Sequence, residues 1–133
     1  MIEWGVGGAV KVVIVDRFRF VGEALQAFLG RSEEIEVAGL FHKADESTLQ
    51  GLRALVPDVI LLESKTGGSA FVRRVRQAVP GASVVALASY GDASERTAAL
   101  AAGARAYVVQ DHCHEEIVDA VLEAVGAGRS RSH

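Results

Sequence analysis

The stretch Arg53-Ala54-Leu55-Val56-Pro57-Asp58-Val59-Ile60-Leu61-Leu62-Glu63-Ser64 decides the fold. It leaves a segment with helical spacing (Leu49, Leu52, Leu55), breaks at a proline, and continues as an apolar run without polar alternation. A strand apolar on both faces belongs to a parallel sheet covered by helices on each side. The run closes on a carboxylate, and in open parallel sheets functional groups collect just past the carboxyl ends of the strands.

Working outward, the same kind of run recurs. With Asp58–Leu62 as the third, the others are Lys11–Val15, Ile35–Leu40, Ser83–Ala88 and Arg105–Val109. Between them lie helical stripes: Val21, Leu25, Phe28 and Leu29, then Phe71, Val75 and Val79, then Ile117, Val121, Ala124 and Val125. Residues 92–102 are alanine-rich, a good helix former with a weak stripe. Gly30, Pro57 and Pro80-Gly81 punctuate the pattern, and Ser69 and Asp111 are expected to cap the third and last helices. Strict β-α alternation with short connections predicts right-handed crossovers and one parallel sheet between two helical layers.

With 133 residues the chain has room for one domain with one sheet. A formal charge of −3 gives no basic excess of the kind that binds nucleic acid directly. One cysteine excludes an intrachain disulfide and fits a reducing compartment. The apolar runs are too short to cross a membrane, and Met1-Ile2-Glu3-Trp4 lacks the pattern of a signal peptide, so the expected location is cytoplasmic. Abundant alanine and scarce lysine fit a GC-rich bacterial gene. The expected layout is a flexible lead over 1–10, a domain over 11–127, and a tail or start of a linker over 128–133.

Topology brings the strand ends to one edge. They read Val15-Asp16-Arg17, Leu62-Glu63-Ser64, Ala88-Ser89-Tyr90 and Val109-Gln110-Asp111, so Asp16, Arg17, Glu63 and Gln110 are expected to lie close together.

In these residues the chain resembles the receiver domains of bacterial response regulators, especially those of the NarL/FixJ type. The resemblance covers about residues 10–127. It is carried by Val12-Val13-Ile14-Val15-Asp16, by residues 53–62, and by Ala101-Ala102-Gly103-Ala104-Arg105-Ala106-Tyr107-Val108-Val109. It implies a flavodoxin-like (βα)5 fold with strand order 2-1-3-4-5 and helices on both faces. Such domains hold Mg²⁺ with two acidic residues after the first strand and phosphorylate an aspartate ending the third. A hydroxyl residue ending the fourth strand and a lysine ending the fifth bind the phosphate.

Position by position, only Asp16 matches that set. Arg17 stands at the second acidic position, Glu63 at the phosphorylated aspartate, Ala88 at the hydroxyl residue and Gln110 at the lysine. Ser89 lies one place beyond the hydroxyl position, Tyr107 stands at the switch aromatic, and the loop 64–69 is short and lacks the usual proline. Phosphoryl transfer to a carboxylate needs in-line attack and a metal that neutralises the phosphoryl oxygens. Magnesium requires near-octahedral oxygen ligands. Here a guanidinium replaces one ligand and adds a repelling charge, and the acceptor arm is one methylene longer. Gln110 brings no charge and Ala88 no hydroxyl. The expectation is a degenerate pocket with no cofactor and with Mg²⁺ binding lost or weak. Arg17 is expected to take the metal's electrostatic place by pairing with Glu63, Asp16 or both, a bidentate pair suiting that geometry.

Plainer readings stand beside these. Asp16, Arg17 and Glu63 can be a structural ion-pair cluster. A standing phosphoaspartate mimic at Glu63 ranks below simple loss of the switch, because the groups that would read its charge are gone. His112-Cys113-His114 lacks the spacing of a zinc site and reads as a polar loop. Gly5-Val6-Gly7-Gly8 precedes the first strand and so is no phosphate loop. Arg73, Arg74 and Arg76 read as a solvated face, and no Ser/His/Asp order supports a hydrolase.

The expected function is therefore a phosphorylation-independent signalling and dimerisation module, not an enzyme. Its expected partners are a second copy, an effector protein or a small molecule, with no membrane. DNA would be reached only through a helix-turn-helix domain, which family members usually carry and this chain does not contain. The alternative is a receiver still phosphorylated at Glu63 or controlled by a ligand in the degenerate pocket.

Overall fold

The computed structural model describes residues 8–110 and 115–129, with side chains through 126. Its elements are β1 (Val10–Val15), α1 (Arg19–Leu29), β2 (Ile35–Phe41), α2 (Glu46–Leu55), β3 (Val59–Glu63), α3 (Gly68–Ala78), β4 (Ser83–Ala88), α4 (Ala93–Ala101), β5 (Ala106–Val109) and α5 (Glu115–Arg129). The five strands form one sheet in the order β2-β1-β3-β4-β5, every neighbouring pair parallel. This is the flavodoxin-like order expected from the sequence.

Side chains alternate across each strand, and both faces are dry. Val13, Val15, Ile60, Leu62, Val84 and Ala86 pack under α2, α3 and α4 with Leu49, Leu52, Phe71 and Val75. Val12, Ile14, Leu61, Val85 and Leu87 pack under α1 and α5 with Leu25, Leu29, Ile117 and Val121. That is why the strand runs show no polar alternation.

Several sequence expectations need correction. The third strand starts at Val59; Asp58 lies just before it, and its carboxylate accepts the Lys11 N–H at 2.9 Å. Val21 is exposed, and the inner face of α1 is Gly22, Leu25 and Leu29. A side chain at Gly22 would meet Leu40 Cδ1 at 2.9 Å, so the helix lies against β2 through a residue with no hydrophobic signature. Ser69 does not cap α3, whose N-cap is Gly67 without any side-chain cap. The caps the sequence reading omitted are Asp45, accepting from Thr48 N at 3.0 Å, and Asp92, accepting from Glu95 N at 2.8 Å. The expected cap Asp111, the His112-Cys113-His114 loop and Gly5 to Gly7 lie outside the described residues.

Candidate functional site

β1 delivers Asp16 to the carboxyl edge of the sheet. Its backbone continues the pairing with β2 (Asp16 N to Phe41 O, 2.9 Å), and its carbonyl accepts from His42 Nδ1 at 2.9 Å. Asp16 Oδ1 accepts the Phe18 N–H at 2.8 Å, a turn that an aspartate forms locally. Its other oxygen, Oδ2, is buried without a hydrogen-bond partner among the described residues. Burial pushes the Asp16 carboxyl above the usual range, and the negative charge of Glu63 adds to that. The Phe18 N–H, His42 and Arg17 offset part of the rise.

β3 delivers Glu63, buried at 6% exposure. Both of its oxygens are engaged. Oε1 accepts from Arg17 Nε at 3.1 Å and from the Thr66 hydroxyl, and Oε2 accepts from the Lys65 N–H at 3.2 Å. Thr66, also buried, accepts the Arg17 N–H at 3.1 Å. The loop that builds this cradle turns at Gly67, with φ +85°, where any side chain would collide with Phe71 Cβ and Ala44 Cβ at 2.5 and 2.6 Å. Arg17 meets Glu63 through one nitrogen, not the two expected, and its guanidinium also lies 4.4 Å from the centre of the Phe18 ring. Among the described residues no hydrogen bond joins Arg17 to the orphaned oxygen of Asp16.

The remaining strand-end residues lie toward the other side of the edge. Gln110 follows β5 and its N–H donates to Ala88 O at 2.6 Å. Ala88 is buried and Ser89 is exposed. Tyr107 on β5 donates its hydroxyl to Glu95 Oε1 at 2.6 Å, across to α4. Glu95 also receives Ser64 Oγ at 3.0 Å and pairs with Lys65 Nζ at 2.9 Å. Partial burial pushes the Glu95 carboxyl up, but the bonds from Tyr107, Lys65 and Ser64 outweigh it and hold it below the usual range. The Tyr107 phenol is pushed up to about 12 by burial and by Glu95.

The structure thus brings Arg17 and Glu63 together, with Asp16 beside them, and adds three residues that the sequence reading left out: Thr66, Lys65 and Glu95. Only Glu95 carried a local signal, the Asp-x-x-Glu spacing from Asp92 that marks a helix start.

Comparison with known proteins gives this edge its context. No family model matches the chain. It is 30% identical over 112 residues to the transcriptional regulatory protein YhcZ of Bacillus subtilis, which covers 82% of this chain and 52% of that protein. It is 33% identical over 124 residues to the DNA-binding transcriptional activator DevR/DosR of Mycobacterium tuberculosis, covering 91% and 56%. The signal receiver domain of the response regulator NarL from Mycobacterium tuberculosis superposes with a TM-score of 0.80 at 27% identity, over 91% of this chain and 98% of that one. The chain carries a response-regulator receiver domain of the NarL/LuxR type. It spans about half the length of the curated relatives it matches. In this receiver the residues after β1 and at the ends of β3, β4 and β5 occupy the edge where the resemblance places phosphotransfer. No helix among its described residues is long and apolar enough to cross a membrane.

Proposed function

We propose that this receiver works without aspartyl-phosphate chemistry, as a signalling and dimerisation module. The observation that carries the reading is the engagement of Glu63: Arg17, Thr66 and the Lys65 N–H together occupy both carboxylate oxygens. In-line attack needs an oxygen lone pair aimed at an incoming phosphorus; here Oε1 already accepts two bonds, and Oε2, which accepts one, is held with it inside a buried cradle.

The donor set also fits Mg²⁺ poorly. Asp16 Oδ2 is the one carboxylate oxygen of the pair not already engaged. Glu63 answers to a guanidinium standing where the family has a second acidic ligand. A hard dication seeking several oxygens meets one available carboxylate oxygen and a fixed positive charge nearby. Arg17 supplies the charge neutralisation from within the chain.

The test is incubation with acetyl phosphate and Mg²⁺, read by intact mass. No mass gain is expected. A phosphoryl adduct that Glu63→Gln abolishes would defeat the reading. The quadruple variant Arg17→Asp, Glu63→Asp, Ala88→Thr and Gln110→Lys is expected to gain Mg²⁺ affinity by calorimetry.

Self-association is the output we assign to the module. Phe18, Phe20 and Val21 form an exposed apolar cluster at the start of α1, with Phe20 83% exposed. A purely monomeric sedimentation profile at high protein concentration would count against it. The relatives are named as regulators of transcription, one of them as DNA-binding. Control of such an output is the role assigned here, with DNA contact made by a separate helix-turn-helix domain.

A further inference from the structure

We infer that the turn joining α2 to β3 is a strained latch: Lys11 holds Val56 in a left-handed conformation, and its release opens the last turn of α2 and uncovers an apolar notch beside β2. Val56 is the C-cap of α2, with φ 50° and ψ 61°. Among the described residues it is the only one other than glycine with a positive φ. Helices often end this way, but on glycine or asparagine. A β-branched residue here crowds its Cβ against the backbone. Pro57 adds a second conflict, because a residue before proline is driven toward extended backbone. The valine is also 68% exposed, so burial of its side chain offsets little of the strain.

What holds the turn lies on β1. Lys11 Nζ donates to Leu55 O at 2.8 Å, placing a charge on one of the carbonyls that a helix end leaves without a partner. On the far side of the turn the Lys11 N–H donates to Asp58 Oδ2 at 2.9 Å, and the Asp58 N–H donates to Lys11 O at 2.8 Å. One residue therefore ties both ends of the strained segment. Within it the Val56 N–H donates to Leu52 O at 3.1 Å. Opening gives up the bonds to Lys11 Nζ and Leu52 O but releases the strain. The turn thus stands nearer its open state than a helix end closed on glycine.

The consequence lies at Leu55. Its Cδ1 sits 2.9 Å from where a side chain at Gly39 would begin, with Val13 Cγ1 at 3.8 Å from the same point. Leu55 thus covers a bare stretch of β2, an edge strand. When the last turn of α2 unwinds, Gly39 and the flank of Val13 lose that cover. Neither Glu63 nor Arg17 takes part.

Hydrogen exchange followed by NMR on the 133-residue chain tests this, with the amides of Ala54 and Leu55 reporting the turn and that of Leu61 in β3 reporting the core. Lys11→Met keeps the aliphatic stem and loses the ammonium. It is expected to speed exchange at Ala54 and Leu55 roughly tenfold relative to Leu61. Val56→Gly is expected to slow the same amides by roughly threefold, since glycine takes this conformation freely but costs chain entropy. The double variant is expected to return toward the original rates. In a Cys113→Ser background, thiol labelling of Val13→Cys is expected to quicken when Lys11→Met is added. The latch is overturned if Val56→Gly leaves Ala54 and Leu55 unchanged or slows Leu61 in equal proportion, or if Lys11→Met speeds them no more than Leu61. Labelling at position 13 that ignores Lys11→Met overturns the notch.

Discussion

Two glutamates, one ending β3 and one in α4, bond to the same loop and do opposite things. Glu63 is buried and takes its partners from Arg17 and from residues two and three places along its own chain. Glu95 is more exposed and joins α4 to β5 and to the β3–α3 loop through Tyr107, Ser64 and Lys65. In a dry cradle every lost bond leaves a charge or a donor unpaired, so the Glu63 cluster behaves as a fixed anchor. Around Glu95 water can replace any one partner, so the cluster can exchange partners at little cost. The lesson is that two carboxylates at one sheet edge, bonded to one loop, differ in how freely they can change partners, the exchangeable one lying on the α4 side.

The largest effect is expected at Thr66. Its hydroxyl serves Glu63 and the Arg17 N–H at once, so Thr66→Val leaves a buried carboxylate short of a donor and an amide unpaired. The expected cost is about 2–3 kcal/mol in urea denaturation. A loss indistinguishable from zero would mean the cradle is wet and the contrast with Glu95 false. Next comes Arg17→Met. Removing the counter-charge of a buried glutamate is costly, but the arginine side chain is 44% exposed and partly screened, so roughly 1–2 kcal/mol is expected. The matching change on the other side, Lys65→Met, is expected to leave stability unaltered, since that side chain is 63% exposed.

How far this contrast was legible in the sequence depends on what each residue announces. The strands announced themselves, because burial on both faces demands unbroken apolar runs such as Val59–Leu62. Topology then placed Asp16, Arg17 and Glu63 at one edge, and the charge pattern suggested the Arg17–Glu63 pair. Thr66 was silent: a threonine in a polar loop looks the same whether it faces water or closes a cradle. Glu95 was nearly so, since α4 has little apolar stripe to fix its rotation and its pairing with Tyr107 needs the α4–β5 packing. Ser69 misled because Gly67 and Gly68, both at positive φ, start the helix earlier than a serine cap would. Val21 was placed on the inner face of α1 for the opposite reason: the residue that lies there, Gly22, fits through an absent side chain and carries no apolar signal.

A smaller effect sharpens the Glu95 side. Tyr107→Phe removes a bond to a carboxylate at a partly exposed position, with an expected cost of about 0.5–1 kcal/mol. The phenol itself gives a cleaner readout. Its pKa is raised from 10.0 to about 12, so the folded state holds its proton more tightly than the unfolded chain does. That stabilisation is complete below pH 10 and is lost as pH rises through about 12. Absorbance titration should resolve a late phenol, and Glu95→Gln should move it down toward the ordinary value. An unmoved titration would show that burial alone raises it.

The smallest effect separates the two sides by sign. Asp16 belongs to the buried cluster and its carboxyl is raised from 3.8, chiefly by burial. The folded state therefore binds this proton more tightly than the unfolded chain, and the stability it gives at low pH is lost as pH rises through the raised value. Glu95 is lowered from 4.5, because its hydrogen bonds outweigh its burial. Its contribution is present above the unfolded value and is lost as pH falls through the folded one. In the acid range the two carboxylates thus tilt the stability curve in opposite directions, Asp16 as pH rises above 3.8 and Glu95 as pH falls below 4.5. Asp16→Asn should make the acid loss of stability steeper, by removing a group that favours the folded state at low pH. Glu95→Gln should make it shallower. Chemical denaturation at a series of pH values measures both slopes. Two variants shifting the slope the same way would mean that Asp16 and Glu95 share one environment, and that the boundary drawn between the fixed and the exchangeable cluster does not exist.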